Sequence, residues 1–198
     1  MHPTAAFHWQ DRDAMRAFVA ERSFGALFAM TPEGPRVAHV PVIWQGDDRI
    51  AFHLARGNAL TAHLDGVEAL FTAQGPDAYV SPDWYGLDDQ VPTWNYIAVE
   101  LQGQVRREPD DALLPLIDAL SAEHERRLAP KSAWTRAKMR PGSAEKMMRG
   151  IAAFTLSVTD WRGTRKLNQN KPEAARLAVA DAMDALGQAD MAQELRHI

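Results

Sequence analysis

A chain of 198 residues with 46% hydrophobic and 24% charged residues is long enough for one domain with a substantial core. A formal net charge of −4 argues against a surface given over wholly to nucleic acid, although a local basic patch remains compatible with it. The absence of cysteine removes disulfides, thiolate nucleophiles and Cys-ligated zinc, and fits a reducing cytoplasm.

No apolar run approaches the roughly 20 residues of a membrane-spanning helix. The first residues, MHPTAAFHWQDRD, lack the basic-then-apolar pattern of a signal peptide, so a cytoplasmic protein with no membrane contact is expected. Residues 11–22 place Ala14, Met15, Phe18 and Val19 on one helical face, with Asp11 as the N-cap. Phe24–Thr31 reads as a buried strand, PEGP at 32–35 as a turn, and Arg36–Trp44 as a second strand in which Pro41 marks an edge or a bulge. Gly46-Asp47-Asp48 then turns the chain into a third strand, Arg49–Ala55. Two successive hairpins predict an antiparallel meander.

Arg56-Gly57-Asn58 follows, with Gly57 free to take an unusual backbone shape and Asn58 capping a short helical piece over Ala59–Leu64. A basic side chain beside a helix start suits a phosphate, and equally suits an ordinary hydrated turn. Val67–Ala73 and Thr93–Arg107 read as the fourth and fifth strands. The stretch between them is a loop rich in aromatic residues, Pro, Asp and Gly, with Trp84, Tyr85, Trp94 and Tyr96 close together. Those rings either plug the end of a sheet or offer flat faces to a planar ligand or a partner subunit.

Residues 110–127 form an amphipathic helix through Leu113, Leu116, Ile117 and Leu120, with Pro115 disturbing its first turns. Residues 126–149 carry Arg126, Arg127, Lys131, Arg136, Lys138, Arg140, Lys146 and Arg149. This basic segment is either a solvated face or a patch for an anionic partner such as DNA phosphates. Gly150–Thr159 is the sixth strand, and a last helix over about 172–186 starts near Pro172 and stops at Gly187. The expected organisation is a single domain over residues 1–187 with a tail at 188–198. Its class is α+β, mainly β: about six antiparallel strands in a small barrel or curved sheet with peripheral helices.

Motifs for dinucleotide, P-loop and zinc-protease chemistry are missing, and Ser81 lacks a nucleophile-elbow context. His39 and His53 lie on what read as neighbouring strands, but two histidines make a poor metal site and no metal is expected. A second unusual stretch is Arg165-Lys166-Leu167-Asn168-Gln169-Asn170-Lys171. Its cations and carboxamides suit a phosphate and the edge of a heterocycle, or simply a polar turn before the last helix.

The blocks GPDAYVSPDWY (75–85) and VPTWNY (91–96), followed by KLNQNKPE (166–173), resemble the signature of PaiB-type proteins across most of the chain. That resemblance implies an FMN-binding split barrel related to pyridoxamine-phosphate oxidases and flavin reductases, acting as a homodimer with flavin at the subunit interface. It also implies a negative transcriptional regulator or flavin-dependent sensor, with an FMN-dependent oxidoreductase as the alternative. By the same analogy His53, Arg56 and Asn58 surround the FMN phosphate, and the backbone at His39 and Val40 passes the isoalloxazine ring. Trp94 and Asn95 lie near the ligand, and Lys166, Gln169 and Asn170 approach from the other subunit. Two departures stand out: Arg165 and Asn168 occupy positions where the family often has Trp and Ser, and the loop Leu87-Asp88-Asp89-Gln90 is acidic where the family is often basic.

Overall fold

The apolar run Phe24–Met30, the turn residues Pro32-Glu33-Gly34 and the run Val37–Pro41 produce the hairpin on which the sheet is built. The computed structural model describes residues 2–198. Strand β1 (His8–Trp9) is followed by helix α1 (Arg12–Arg22), β2 (Phe24–Thr31), β3 (Gly34–Pro41), β4 (Ile43–Trp44), β5 (Arg49–Ala55), β6 (Glu68–Val80) and β7 (Thr93–Arg107). Then come α2 (Leu113–Arg126), α3 (Ser143–Met148), β8 (Ile151–Lys166), α4 (Glu173–Ala185) and α5 (Ala189–Arg196). Strand order among the described residues is β3-β2-β6-β7-β8-β5-β4, with β1 on β8. The β2–β3, β2–β6, β4–β5, β5–β8 and β1–β8 pairs are all antiparallel.

The chain divides into two compact units. One comprises Ala17–Ala73 and Glu100–Trp161, the other Met1–Arg16, Gln74–Val99 and Arg162–Ile198. In the first unit, Leu27, Ile50, Phe52, Phe71, Leu101, Phe154 and Leu156 are fully buried, and Phe52 stacks on Phe154 at 5.7 Å. Leu113, Leu116 and Leu120 of α2 cover Ala51 and Ala153 on the other face of β5 and β8. Pro115 does disturb the start of that helix: a 3₁₀ turn over Asp110–Ala112 precedes it. In the second unit, Ala175, Val179 and Met183 of α4 and Met191, Ala192 and Leu195 of α5 are buried.

Several boundaries differ from those expected. The second strand breaks after Pro41, giving β3 and the separate β4, although the Val42 amide still bonds the Ser23 carbonyl at 2.9 Å, one step beyond the Phe24–Pro41 pair. Residues 56–63 form consecutive turns rather than a helix, and Gly57 does not adopt a left-handed backbone. Strand β6 runs on through the block expected to be loop, ending at Val80, and β8 continues to Lys166. Both extensions carry residues with weak strand propensity (Gly75, Pro76, Asp77; Asp160, Gly163), so pairing with neighbouring strands overrides local preference there. The tail, whose state the periodicity leaves open, forms α5. No helix among the described residues is long and apolar enough to cross a membrane.

Candidate functional site

The predicted ligand residues fall into two groups, one in each unit. In the first unit, Val40 points into the core of β3 and is fully buried, while its backbone pairs with Gly25. His39 faces outward and is exposed, with its ring stacked on Phe24 at 6.4 Å and 18°. Strands β3 and β5 are not hydrogen-bonded neighbours, which corrects the expectation that His39 and His53 sit on adjacent strands. His53 alternates with the inward Phe52 and Leu54, opposite Ala153 of β8. Its Nδ1 is buried and makes no hydrogen bond, and burial lowers the imidazole pKa below 6.5.

The turns after β5 bring Arg56 and Asn58 close behind His53 in the chain. The Asn58 amide donates to the Ala55 carbonyl at 2.9 Å, and its Oδ1 accepts from the Leu60 amide at 2.9 Å. The Thr61 hydroxyl closes the same turn by donating to the Ala55 carbonyl at 2.7 Å. Asn58 thus caps a turn in the manner expected of it at a helix start. Arg56 donates through Nε to the Arg149 carbonyl at 3.1 Å and through Nη2 to Asp110 at 2.9 Å, which leaves Nη1 for another acceptor.

In the second unit, Trp94 is exposed and meets Tyr79 edge to face at 6.2 Å. The next residue, Asn95, turns inward with Ile97 and Val99. It is fully buried, and neither its Oδ1 nor its Nδ2 has a hydrogen-bond partner. Lys166, at the end of β8, is partly buried. Its Nζ donates to the Thr93 hydroxyl at 2.5 Å and lies 5.8 Å from the centre of the Phe7 ring, and desolvation lowers its pKa. Among the described residues no carboxylate pairs with it. A cation held by one hydroxyl and one aromatic face in a partly dry position is chemically suited to pair with an anion.

Gln169 spends its amide locally: Oε1 accepts from the Leu167 amide at 2.8 Å and Nε2 donates to the Arg165 carbonyl. It therefore clamps the loop, while Asn170 is exposed. Arg165, in the position often held by Trp in the family, pairs with Glu194 at 2.7 Å and lies 5.3 Å over the Trp9 ring. The acidic loop is tied back by Gln90, which accepts from Lys171 and donates to the Asp88 carbonyl at 2.8 Å. Sequence reasoning passed over Thr93, Phe7 and the ring of Tyr85 as supports of this group.

Four of the eight cations in the basic segment 126–149 pair with carboxylates of α2. Glu123 accepts from Arg126 at 2.8 Å and from Arg127 at 3.0 Å, Glu125 accepts from Lys131, and Asp118 holds Arg136 through two contacts of 2.5 and 2.7 Å. These partners keep the three carboxyls below their usual range. Arg127 also donates to the Ala20 and Glu21 carbonyls at 2.6 Å, capping the end of α1.

A family model described as "Putative FMN-binding domain" matches residues 1–160. The chain is 31% identical over 170 residues to "Protease synthase and sporulation protein PAI 2" of Bacillus subtilis (strain 168), covering 84% of this chain and 81% of that protein. A solved flavocytochrome, Anf3 from Azotobacter vinelandii, superposes with a TM-score of 0.60 at 17% identity, covering 83% of this chain and 72% of the other. The FAD and heme binding protein from Mycobacterium smegmatis gives 0.59 at 18% identity, over 80% and 73%. These likenesses show the fold: a mostly antiparallel sheet with a few helices, of the split-barrel kind, in which the described sheet does not close.

Proposed function

The chain belongs to the FMN-binding domain family, and from that premise we propose that it is a PaiB-like flavoprotein that binds FMN as a homodimer. The observation that carries this reading is Lys166 at the end of β8, a partly buried cation with no carboxylate partner among the described residues, in the KLNQNKPE block that resembles the family. The residues present fit the cofactor. Arg56 and Lys166 offer charge to a phosphate, Asn58 and Asn170 lie at turns beside them, and the orphaned His53 Nδ1 and Asn95 amide supply unused polar groups. Val40 supplies backbone and an apolar wall, and His39 and Trp94 supply exposed ring faces.

When bound, FMN supplies electron-transfer chemistry, and the protein's contribution is to bind it, orient it and exclude water. Arg56 Nη1 would serve as a phosphate donor, and Lys166 Nζ would serve as a phosphate or ring-edge donor. His53 stays neutral near pH 7, so its unused nitrogen donates or accepts without adding charge.

A second copy of the chain is the natural cover for the outer face of β2 and β3. Phe24, Phe28, Met30 and Val37 are all 42–66% exposed there, and Phe28 and Val37 are cross-strand partners. A shallow open depression beside them is lined by Phe28, Met30, Pro35, Leu70 and Gln102. His39 lies on the same face, which supports a flavin near a subunit interface.

For the biological role, the relative's name ties it to protease synthesis and sporulation, and this supports a regulator or flavin-dependent sensor. The internal pairing of Arg126, Arg127, Lys131 and Arg136 favours regulation that does not run through direct DNA contact at that segment. A gel-shift titration with nonspecific competitor is expected to show no specific complex at micromolar protein; a salt-sensitive specific complex would contradict this. The oxidoreductase alternative is tested by NADH or NADPH oxidation with FMN-loaded protein. A rate no higher than that of free FMN removes it.

A further inference from the structure

Tyr85 closes a 3₁₀ turn, Pro82–Tyr85, whose cap Ser81 accepts from the Asp83 amide at 3.4 Å and whose end is set by Gly86 at φ 61°. The turn lies against α4. The Tyr85 ring is buried, and its hydroxyl donates to Asn168 Oδ1 at 3.2 Å. Asn168 is also buried and adopts φ 63°, a left-handed backbone that Asn tolerates better than most residues. Its carbonyl accepts from the Lys171 amide at 2.9 Å, so the reversal of the chain pivots on this residue. Between Lys166 and Asn170, the Gln169 clamp and the Asn168 pivot fix the loop from within and from Tyr85.

We propose that Tyr85 is a positioning residue for the FMN site: its hydroxyl holds Asn168 in the left-handed conformation and thereby sets where Lys166 and Asn170 are presented. This inference rests on the FMN-binding reading above. It gives a role to the asparagine that stands where the family often has serine, because a carboxamide both accepts the phenol's hydrogen bond and suits the positive φ. Burial raises the Tyr85 pKa, so the phenol remains a donor throughout the neutral range. Lys171 Nζ, 5.0 Å over the Tyr85 ring, ties the far end of the loop to the same side chain.

The test compares wild type, Tyr85→Phe, Asn168→Gly and the double variant by flavin-fluorescence titration with FMN and by hydrogen exchange of residues 165–171. Glycine keeps the left-handed backbone accessible and removes the acceptor. Tyr85→Phe is expected to speed exchange in the loop, to raise the FMN Kd about tenfold and to alter the shape of the bound flavin's visible bands. In the Asn168→Gly background the same change should move Kd by less than about twofold, because the two residues act as a unit. Unchanged exchange in residues 165–171 on Tyr85→Phe, or an equal loss of affinity in both backgrounds, overturns the proposal. If wild type itself fails to bind FMN, the functional reading falls, while the exchange rates still decide whether the latch exists.

Discussion

Lys166 and Arg56 make different demands on the protein, and their substitutions separate binding from stability. Arg56 is an exposed residue whose pair with Asp110 is solvent-screened, so Arg56→Ala should change stability by no more than about 1 kcal/mol. If Nη1 meets the phosphate, the same change raises the FMN Kd on the order of tenfold or more. Lys166 is desolvated with no carboxylate partner among the described residues, so Lys166→Met should leave the unfolding midpoint unchanged or raise it in flavin-free protein while weakening FMN binding. Differential scanning fluorimetry with and without FMN measures both. His53 adds a pH dependence. Its folded-state pKa is depressed, so the neutral form that suits the fold is fully populated above the unfolded value of 6.5. Stability is therefore lost as pH falls from 6.5 through the lower folded value, and His53→Gln should flatten the midpoint between pH 7 and 5.

At the scale of elements, two glycines have opposite reasons for being there. In β7, a Cβ on Gly103 would lie 1.9 Å from the Ser157 carbonyl oxygen of β8, so the two backbones approach too closely for any side chain. Gly103→Ala should cost on the order of 3 kcal/mol or prevent folding. Gly187 instead ends α4 at φ 76°, with its amide on the Asp184 carbonyl and the Gln188 amide on the Met183 carbonyl, both at 2.9 Å. Gly187→Ala should cost about 1 kcal/mol, or roughly 2–4 °C in Tm for a chain of this size. Thermal unfolding of both variants, with Gly57→Ala as an unstrained control, checks the pair.

The helix-stop at Gly187, the cap at Asp11 (accepting from the Ala14 amide at 2.9 Å) and the bounds of β2, β5 and β7 were legible in the sequence. Each rests on a local rule of capping or alternation that tertiary structure did not override. The ends of β6 and β8 were not legible, because Gly75-Pro76-Asp77 and Asp160-Trp161-Arg162-Gly163 look like turns until a neighbouring strand claims them. Within the candidate site, the placing of Arg56, Asn58 and Lys166 beside turn residues was legible in the sequence. That Gln169 is spent on its own loop, and that Tyr85 reaches Asn168 across 83 positions of sequence, depends on long-range packing that no local pattern encodes.

For the whole molecule, the apolar face of β2 and β3 and the flavin are two sides of one claim. If a second copy covers that face, wild-type protein should elute at twice the 22.0 kDa chain mass in size exclusion with light scattering. Phe28→Glu combined with Met30→Glu should then shift it toward the monomer and weaken FMN binding as well. A monomeric wild type that still binds FMN would separate the cofactor from the dimer. The central claim, that this chain is a flavoprotein, is tested most directly by the flavin itself. We expect freshly purified protein, or protein titrated with FMN, to show visible flavin bands, saturable binding at micromolar or lower concentrations, and release of FMN on denaturation. A protein that stays colourless and gives no saturable change on FMN titration at micromolar concentrations would contradict the account.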